Sequence, residues 1–318
     1  MPMKNHQRVI LQSIQRYCEP RGIAIERLSH DWIVQLVRGE RVHHLFGYDL
    51  GLNPSSTLKI CNDKAATSTV LAANGVATVV HRLFLHPRLF EHVDVDSNWP
   101  EMLAAFEAFG QDVVLKDNEG TGGREVFRSR TLSELERHTT ELFTTCRSIC
   151  MSPFLKIDQE ARFVLLEGAC LLAYAKERPG VTGDGQTSVR GLIARAREAG
   201  RLELSQEALE ALDCDLAATP ATGEVVMLQW RHNLGLGAAP DVVDAASADA
   251  QQKLTLARAA MKAVNASFGS VDIVSVGDED FVLEINSGVM LEHVWRWHPD
   301  GDALVDRIYH AALDTLEL

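Results

Sequence analysis

Asp272, Glu284 and Asn286 are the residues of this chain best spaced to do chemistry. Glu284 and Asn286 stand two apart in FVLEIN, and the period of two along a strand puts both on one face. If FGSVDIVSV and DFVLEIN pair about the turn GDED, Asp272 approaches that same face. Leu283 and Ile285 then point to the opposite, buried side. Two carboxylates and an amide are all oxygen donors, which suits a hard cation such as Mg²⁺ carrying substrate phosphates. The bland alternative is a solvated sheet face, weighed against the cost of burying unpaired carboxylates.

A second group surrounds Lys116. It closes the apolar stretch DVVLK and is followed by Gly120, Gly122 and Gly123. Backbone N–H groups of such a loop can close over phosphate oxygens while the lysine adds charge. The spacing is not that of a P-loop, because the lysine precedes the glycines. The later LGLGAAP lacks the third glycine and distal acid of a dinucleotide fingerprint. Three arginines interrupt or end apolar strands: Arg162 in EARFVLL, Arg178 after its partner strand, and Arg231 after VVMLQW, followed by His232. Guanidinium forks match phosphate and carboxylate oxygens, so together they suggest an anion pocket; singly, each is better explained as a strand-edge charge with a snorkelling stem. His293 and His298 flank tryptophans and read as packed side chains rather than ligands. No GxSxG elbow, HExxH helix or basic aromatic stripe is present.

The wider composition sets limits. The 318 residues carry 31 basic and 44 acidic side chains, a net charge of −13, which argues against a nucleic-acid or anionic-membrane binder. No apolar run reaches the roughly 18–20 residues that span a bilayer. The N-terminal stretch lacks the apolar core of a leader, so a reducing cytoplasm is the expected location. Six cysteines show no CxxC; Cys146 and Cys150, four apart, read as two buried apolar residues on one helix face.

The elements that must hold these residues are mixed. Helices are expected over 8–18, from Asn62 to Gly75, and in WPEMLAAFEAFG, TLSELERHTTELFTTC, VRGLIARAREAG, LSQEALEAL, DAQQKLTLARAAMKAVNASFG and the C-terminal DALVDRIYHAALDTLEL. Strands are expected in GIAIERL, WIVQLVRG, VATVVHRLFL, DVVLK, VFRSR, ICMSPFLKI, the hairpin EARFVLLEGACLLAYAK, VVMLQW, and the pair around GDED. Hairpins without strict βαβ alternation favour α+β, or mixed α/β layers, over a doubly wound sheet.

These segments in this order resemble the ATP-grasp superfamily, in particular its carboxylate–amine ligase branch of glutathione-synthetase-, cyanophycin-synthetase- and ribosomal-protein glutamate-ligase-like enzymes. The likeness runs over roughly 60–290 and is most specific in ERPGVTGDGQTSVRGLI and the EIN ending. It implies a shortened N-terminal domain over 1–62, a small subdomain with a glycine-rich flap over 63–150, and a C-terminal subdomain with metal and substrate site over 151–318. It implies that Lys64 and Lys116 touch ATP phosphates under a flap of 118–123. Pro153, Phe154 and Leu155 would line the adenine edge, and Glu160 would hold the ribose. Asp272, Glu284 and Asn286 would bind two Mg²⁺ ions, with Mn²⁺ able to substitute. Arg162, Arg178, Arg231 and Asn233 would face the substrate and its acyl phosphate. The implied reaction activates a small carboxylate with ATP, giving ADP and phosphate, and joins it to an amine. An intramolecular cyclase and a non-catalytic nucleotide-binding scaffold are the alternatives, and a homodimer is open beside a monomer. Departures from the pattern are Asp117 where proline is common, Ser152-Pro153 in the hinge, and Ser270 where some relatives have arginine.

Overall fold

The computed structural model describes residues 8–92, 96–123, 125–200, 202, 204, 206–210, 212–316 and 318. Residues 1–7, part of the N-terminal stretch expected to lack a leader's apolar core, lie outside the described residues. The chain forms two compact units, one of 1–173 with 244–318 and one of 174–243.

The larger unit opens with α1 (Val9–Cys18), whose Ile10, Ile14 and Tyr17 recur on one buried face. β1 (Ala24–Leu28), β2 (Ile33–Arg38) and β3 (Arg41–Phe46) follow as an antiparallel meander. β3 has little sequence signal, because in RVHHLF only Leu45 is buried. α2 (Ser55–Asn62) is equally quiet, burying only Thr57 and Cys61. α3 (Lys64–Ala73) then starts two residues later than the sequence suggests. Asp63, not Asn62, caps it by accepting from the Ala66 N–H at 2.7 Å.

β4 (Arg82–Leu85), α4 (Trp99–Ala108), β5 (Val113–Asp117), β6 (Val126–Ser129), α5 (Leu132–Leu142) and β7 (Ser148–Pro153) build a sheet in the order β4-β7-β5-β6. One face, with Phe84, Val113, Leu115, Ile149 and Met151, packs on Met102 and Phe106 of α4 and Leu135 of α5. Strand alternation sends Lys116 and its register partner Cys150 to the other face. Cys146 and Cys150 are both buried, but they share no helix: α5 ends at Leu142, and Cys150 stands on β7. Thr145 and the serine-led strand that follows end the helical pattern that their spacing suggested.

β8 (Gln159–Leu166) and β9 (Ala169–Glu177) form the expected hairpin strands, and the chain enters the smaller unit within β9. That unit adds β10 (Gly180–Thr182), α6 (Val189–Glu198), α7 (Gln206–Glu210), β11 (Val225–Met227) and β12 (Ala239–Val242). β10 pairs β11, β12 pairs the end of β9, and Val181, Val189, Ile193, Ala208 and Leu228 make its core.

Back in the larger unit, α8 (Ala248–Ala263) precedes β13 (Phe268–Val276) and β14 (Glu279–Asn286), and α9 (Glu292–Trp297) and α10 (Gly301–Asp314) end the chain, α10 packing on α1. β13 lies between β8 and β14, antiparallel to both. Among the described residues no helix is long and apolar enough to cross a membrane. Antiparallel sheets with helical layers match the mixed class expected from the hairpins.

Candidate active site

β13 is the spine of the site. Its register sets Asp272 opposite Arg162 on β8 and opposite Glu284 on β14, so the three side chains lie in one row across three strands. Asn286 falls opposite Ser270 on the same face, and its Nδ2 donates to Glu284 Oε1 at 3.2 Å. The other face carries Phe163, Val271, Ile273 and Ile285, all 1% exposed or less. That apolar face makes the row's position obligatory, since a one-residue slip would bury the charges in the core. The register shifts between Asp272 and Ile273, so Val282 rather than Leu283 joins Ile285 in the core. Leu283 is partly exposed, contrary to strict alternation, because the bulge leaves it without an opposite residue.

Asp272 is fully buried and takes a two-pronged ion pair from Arg162, Nε to Oδ1 at 2.5 Å and Nη2 to Oδ2 at 2.6 Å. Arg162 Nη2 also lies 3.6 Å from Glu284 Oε1. An ionised carboxylate offers about four acceptor positions, of which the pair with Arg162 takes two. With Glu284 and Asn286 adjacent, the donor set is all oxygen and fits Mg²⁺. Glu160, 6% exposed, stands two residues before Arg162 on the same strand face.

The lysines approach from the other sheet and from α3. Lys116 is lowered from the usual lysine value, first by burial and then by Lys64, against the pull of Cys150, Glu284 and Glu160. It makes no hydrogen bond or ion pair among the described residues. Lys64, first residue of α3, donates to the carbonyl of Gly120 at 2.5 Å and reaches that of Asn118 at 3.4 Å. Buried Asn118 returns the contact, its Oδ1 accepting from the Ala65 N–H at 3.1 Å. The loop base is thus locked to the helix that carries Lys64. A Cβ at Gly120 would fall 2.8 Å from that of Asp117, and Gly122 and Gly123 have φ of +72° and +71°, so this turn requires glycine.

Just after β7, Phe154 is covered by Arg128, whose guanidinium lies 3.4 Å from the ring centroid while it clasps Asp112 at 2.8 and 2.6 Å. Pro153 ends β7, and Leu155 follows Phe154. Arg178, Arg231 and Asn233 belong to the smaller unit. There Arg231 lies 5.7 Å from the Trp230 ring, and Asn233 Oδ1 accepts from the Gly235 N–H at 2.7 Å. His232 is pushed down to about 4 by burial, then Arg178 and Lys176. Buried Lys176, inside the apolar run ACLLAYAK, adds to this basic group, and no spacing rule singles it out.

His81, His138, His232 and His293 are all held below the ordinary histidine value, chiefly by burial. For such groups the unfolded chain takes the proton first, so their contribution is complete above about pH 6.5 and is lost as pH falls through it. The urea midpoint is therefore expected to drop between pH 7.5 and pH 5. An unchanged midpoint would refute the assignment.

The antiparallel sheets with helical layers match the ATP-grasp fold of solved ligases, and the carboxylate–amine ligase branch is the one the chain resembles. Among solved structures the chain is similar to a bifunctional glutathione synthetase from Pasteurella multocida, with a TM-score of 0.52 and 17% identity over 93% of this chain and 44% of that one. It is similar also to a D-alanine–D-alanine ligase from Bacillus anthracis, with a TM-score of 0.52 and 14% identity over 83% and 71% of the two chains. Among curated proteins, cyanophycin synthetases from Trichormus variabilis and a Nostoc species are 22% and 23% identical over 300 residues. The match covers 88% of this chain but only 31% of those relatives. No protein-family model matches the chain.

Proposed function

We propose that this chain is an ATP-dependent carboxylate–amine ligase, forming ADP and phosphate as it makes an amide or peptide bond between small molecules. The observation that carries the reading is Lys116. A buried ammonium that pairs with nothing among the described residues, within electrostatic reach of Lys64, Glu160 and Glu284, is half of a site whose other half is an anion. ATP would supply the phosphoryl group that turns the carboxylate into an acyl phosphate, and Mg²⁺ would screen the charge.

The chain's own residues bind and orient. Lys64, Lys116 and the turn of Gly120, Gly122 and Gly123 hold the phosphates; the backbone of Pro153, Phe154 and Leu155 meets the adenine edge, and Glu160 the ribose. Asp272, Glu284 and Asn286 hold two Mg²⁺ ions, with Arg162 fixing the Asp272 carboxylate. Arg178, Arg231 and Asn233 meet the carboxylate end of the substrate. Catalysis then consists of positioning and charge neutralisation rather than a covalent nucleophile. The expected location is the cytoplasm.

The test is nucleotide product analysis during turnover with pairs of amino acids or other small carboxylates and amines. ADP and phosphate should appear in step with the amide. AMP and pyrophosphate appearing stoichiometrically would mean an adenylating enzyme and would end this reading.

A further inference from the structure

His81 has no part in the site so far, yet it is built into it. It directly precedes β4 and is 5% exposed. Its backbone N–H donates to Ser68 Oγ at 3.2 Å, Ser68 Oγ donates to the Val79 carbonyl at 3.1 Å, and its own Nδ1 lies 2.9 Å from that carbonyl. A carbonyl only accepts, so Nδ1 carries the proton and Nε2 of the neutral ring is left as an acceptor. Nε2 is buried and has no hydrogen-bond partner. Ser68 lies one turn past Lys64 on α3, and β4 neighbours β7, on which Cys150 is the register partner of Lys116. His81 is thus tied to α3, which carries Lys64, and leads into the strand that lies beside β7, whose Cys150 pairs with Lys116. The charged groups acting on it are Lys116, then Lys64, and with burial they keep it unprotonated.

We infer that His81 is a positioning residue for Lys116: the two groups are not bonded to each other in this structure, and when a nucleotide draws the ammonium in, Nε2 accepts one of its N–H groups and leaves the other two for the nucleotide's oxygens. The inference rests on the nucleotide reading above. An ammonium short of an acceptor and an acceptor short of a donor share one desolvated region, and each alone costs free energy. The chemistry also explains why a neutral ring serves here. A carboxylate in its place would fix the lysine but cancel the charge that phosphate binding needs, whereas imidazole fixes it and leaves the charge whole.

The experiment is calorimetric titration of MgATP into the full chain and its variants. His81→Leu is expected to weaken MgATP binding about tenfold, the scale of one lost hydrogen bond to a charged group. His81→Gln, whose Oε1 can accept at similar reach, should bind within about threefold of the parent. In a Lys116→Met background, itself weaker, His81→Leu should cost less than about twofold, because the partner is already gone. Equal losses in both backgrounds, or no loss in the parent, would overturn the inference while the ligase reading stands. If His81→Leu fails to fold, His81→Gln decides alone: a loss beyond about tenfold overturns it. Parent protein that binds no MgATP overturns the nucleotide reading itself, and this inference with it.

Discussion

Asp272→Ala is expected to cost the folded chain about 3–5 kcal/mol, the loss seen when one partner of a buried ion pair is removed. Arg162 keeps only 16% of its side chain exposed and Asp272 1%, so the alanine strips a largely buried guanidinium of its two-pronged partner. The pairing is two-pronged at 2.5 and 2.6 Å, which ties β8 to β13 through side chains as well as backbone. Urea unfolding measures the loss. Adding Arg162→Met should restore most of the stability, because an apolar pair of similar volume replaces a buried ionic one at little cost. Activity should not return, since on the proposed reading a cation ligand is still missing. A loss under about 1 kcal/mol for Asp272→Ala would mean that water reaches Arg162 freely.

Glu284→Gln is expected to behave in the opposite way, sparing the fold and removing the chemistry. Its side chain is 31% exposed and only 3.6 Å from Arg162, a loose contact whose loss should move the urea midpoint little. The amide keeps the shape and its hydrogen-bonding neighbour Asn286, but it gives up the negative charge that a divalent ion needs. Turnover of MgATP should fall by on the order of 100- to 1000-fold, as when a preorganised electrostatic group is removed. Phosphate release, with whichever carboxylate and amine support it, is the readout. Activity within about tenfold of the parent would place the cation elsewhere.

The contrast between these two carboxylates explains what could be read from sequence. A period of two was enough to put Glu284 and Asn286 on one face, and the GDED turn was enough to bring Asp272 to them. Local rules also found the strand that ends at Pro153, the glycine turn and most helices. They did not find that Arg162 belongs to Asp272, because the two are 110 residues apart and meet only through sheet register. Read locally, Arg162 was an arginine awaiting an anion; the structure supplies an anion of the protein's own. The bulge beside Asp272 was hidden for a related reason, since Leu283 looks like any other apolar strand residue until its partner strand is counted. β3 and α2 escaped because their apolar positions are too few to beat a background of polar side chains. His81 sits in VATVVHRLFL like a strand histidine, and only tertiary contacts show its unsatisfied nitrogen.

The way the smaller unit enters and leaves the chain bears on how the protein folds. Its first residue, Tyr174, pairs directly with Val242, next to its last, so the unit brings its own ends together. Once those strands zip, the 70 residues of 174–243 no longer act as a long loop between β9 and α8. For the rest of the chain they amount to a short connection, and the closure entropy of joining β8 to β13 falls accordingly. Contacts that look distant in sequence, Arg162 with Asp272 above all, then become nearly local in the order of folding.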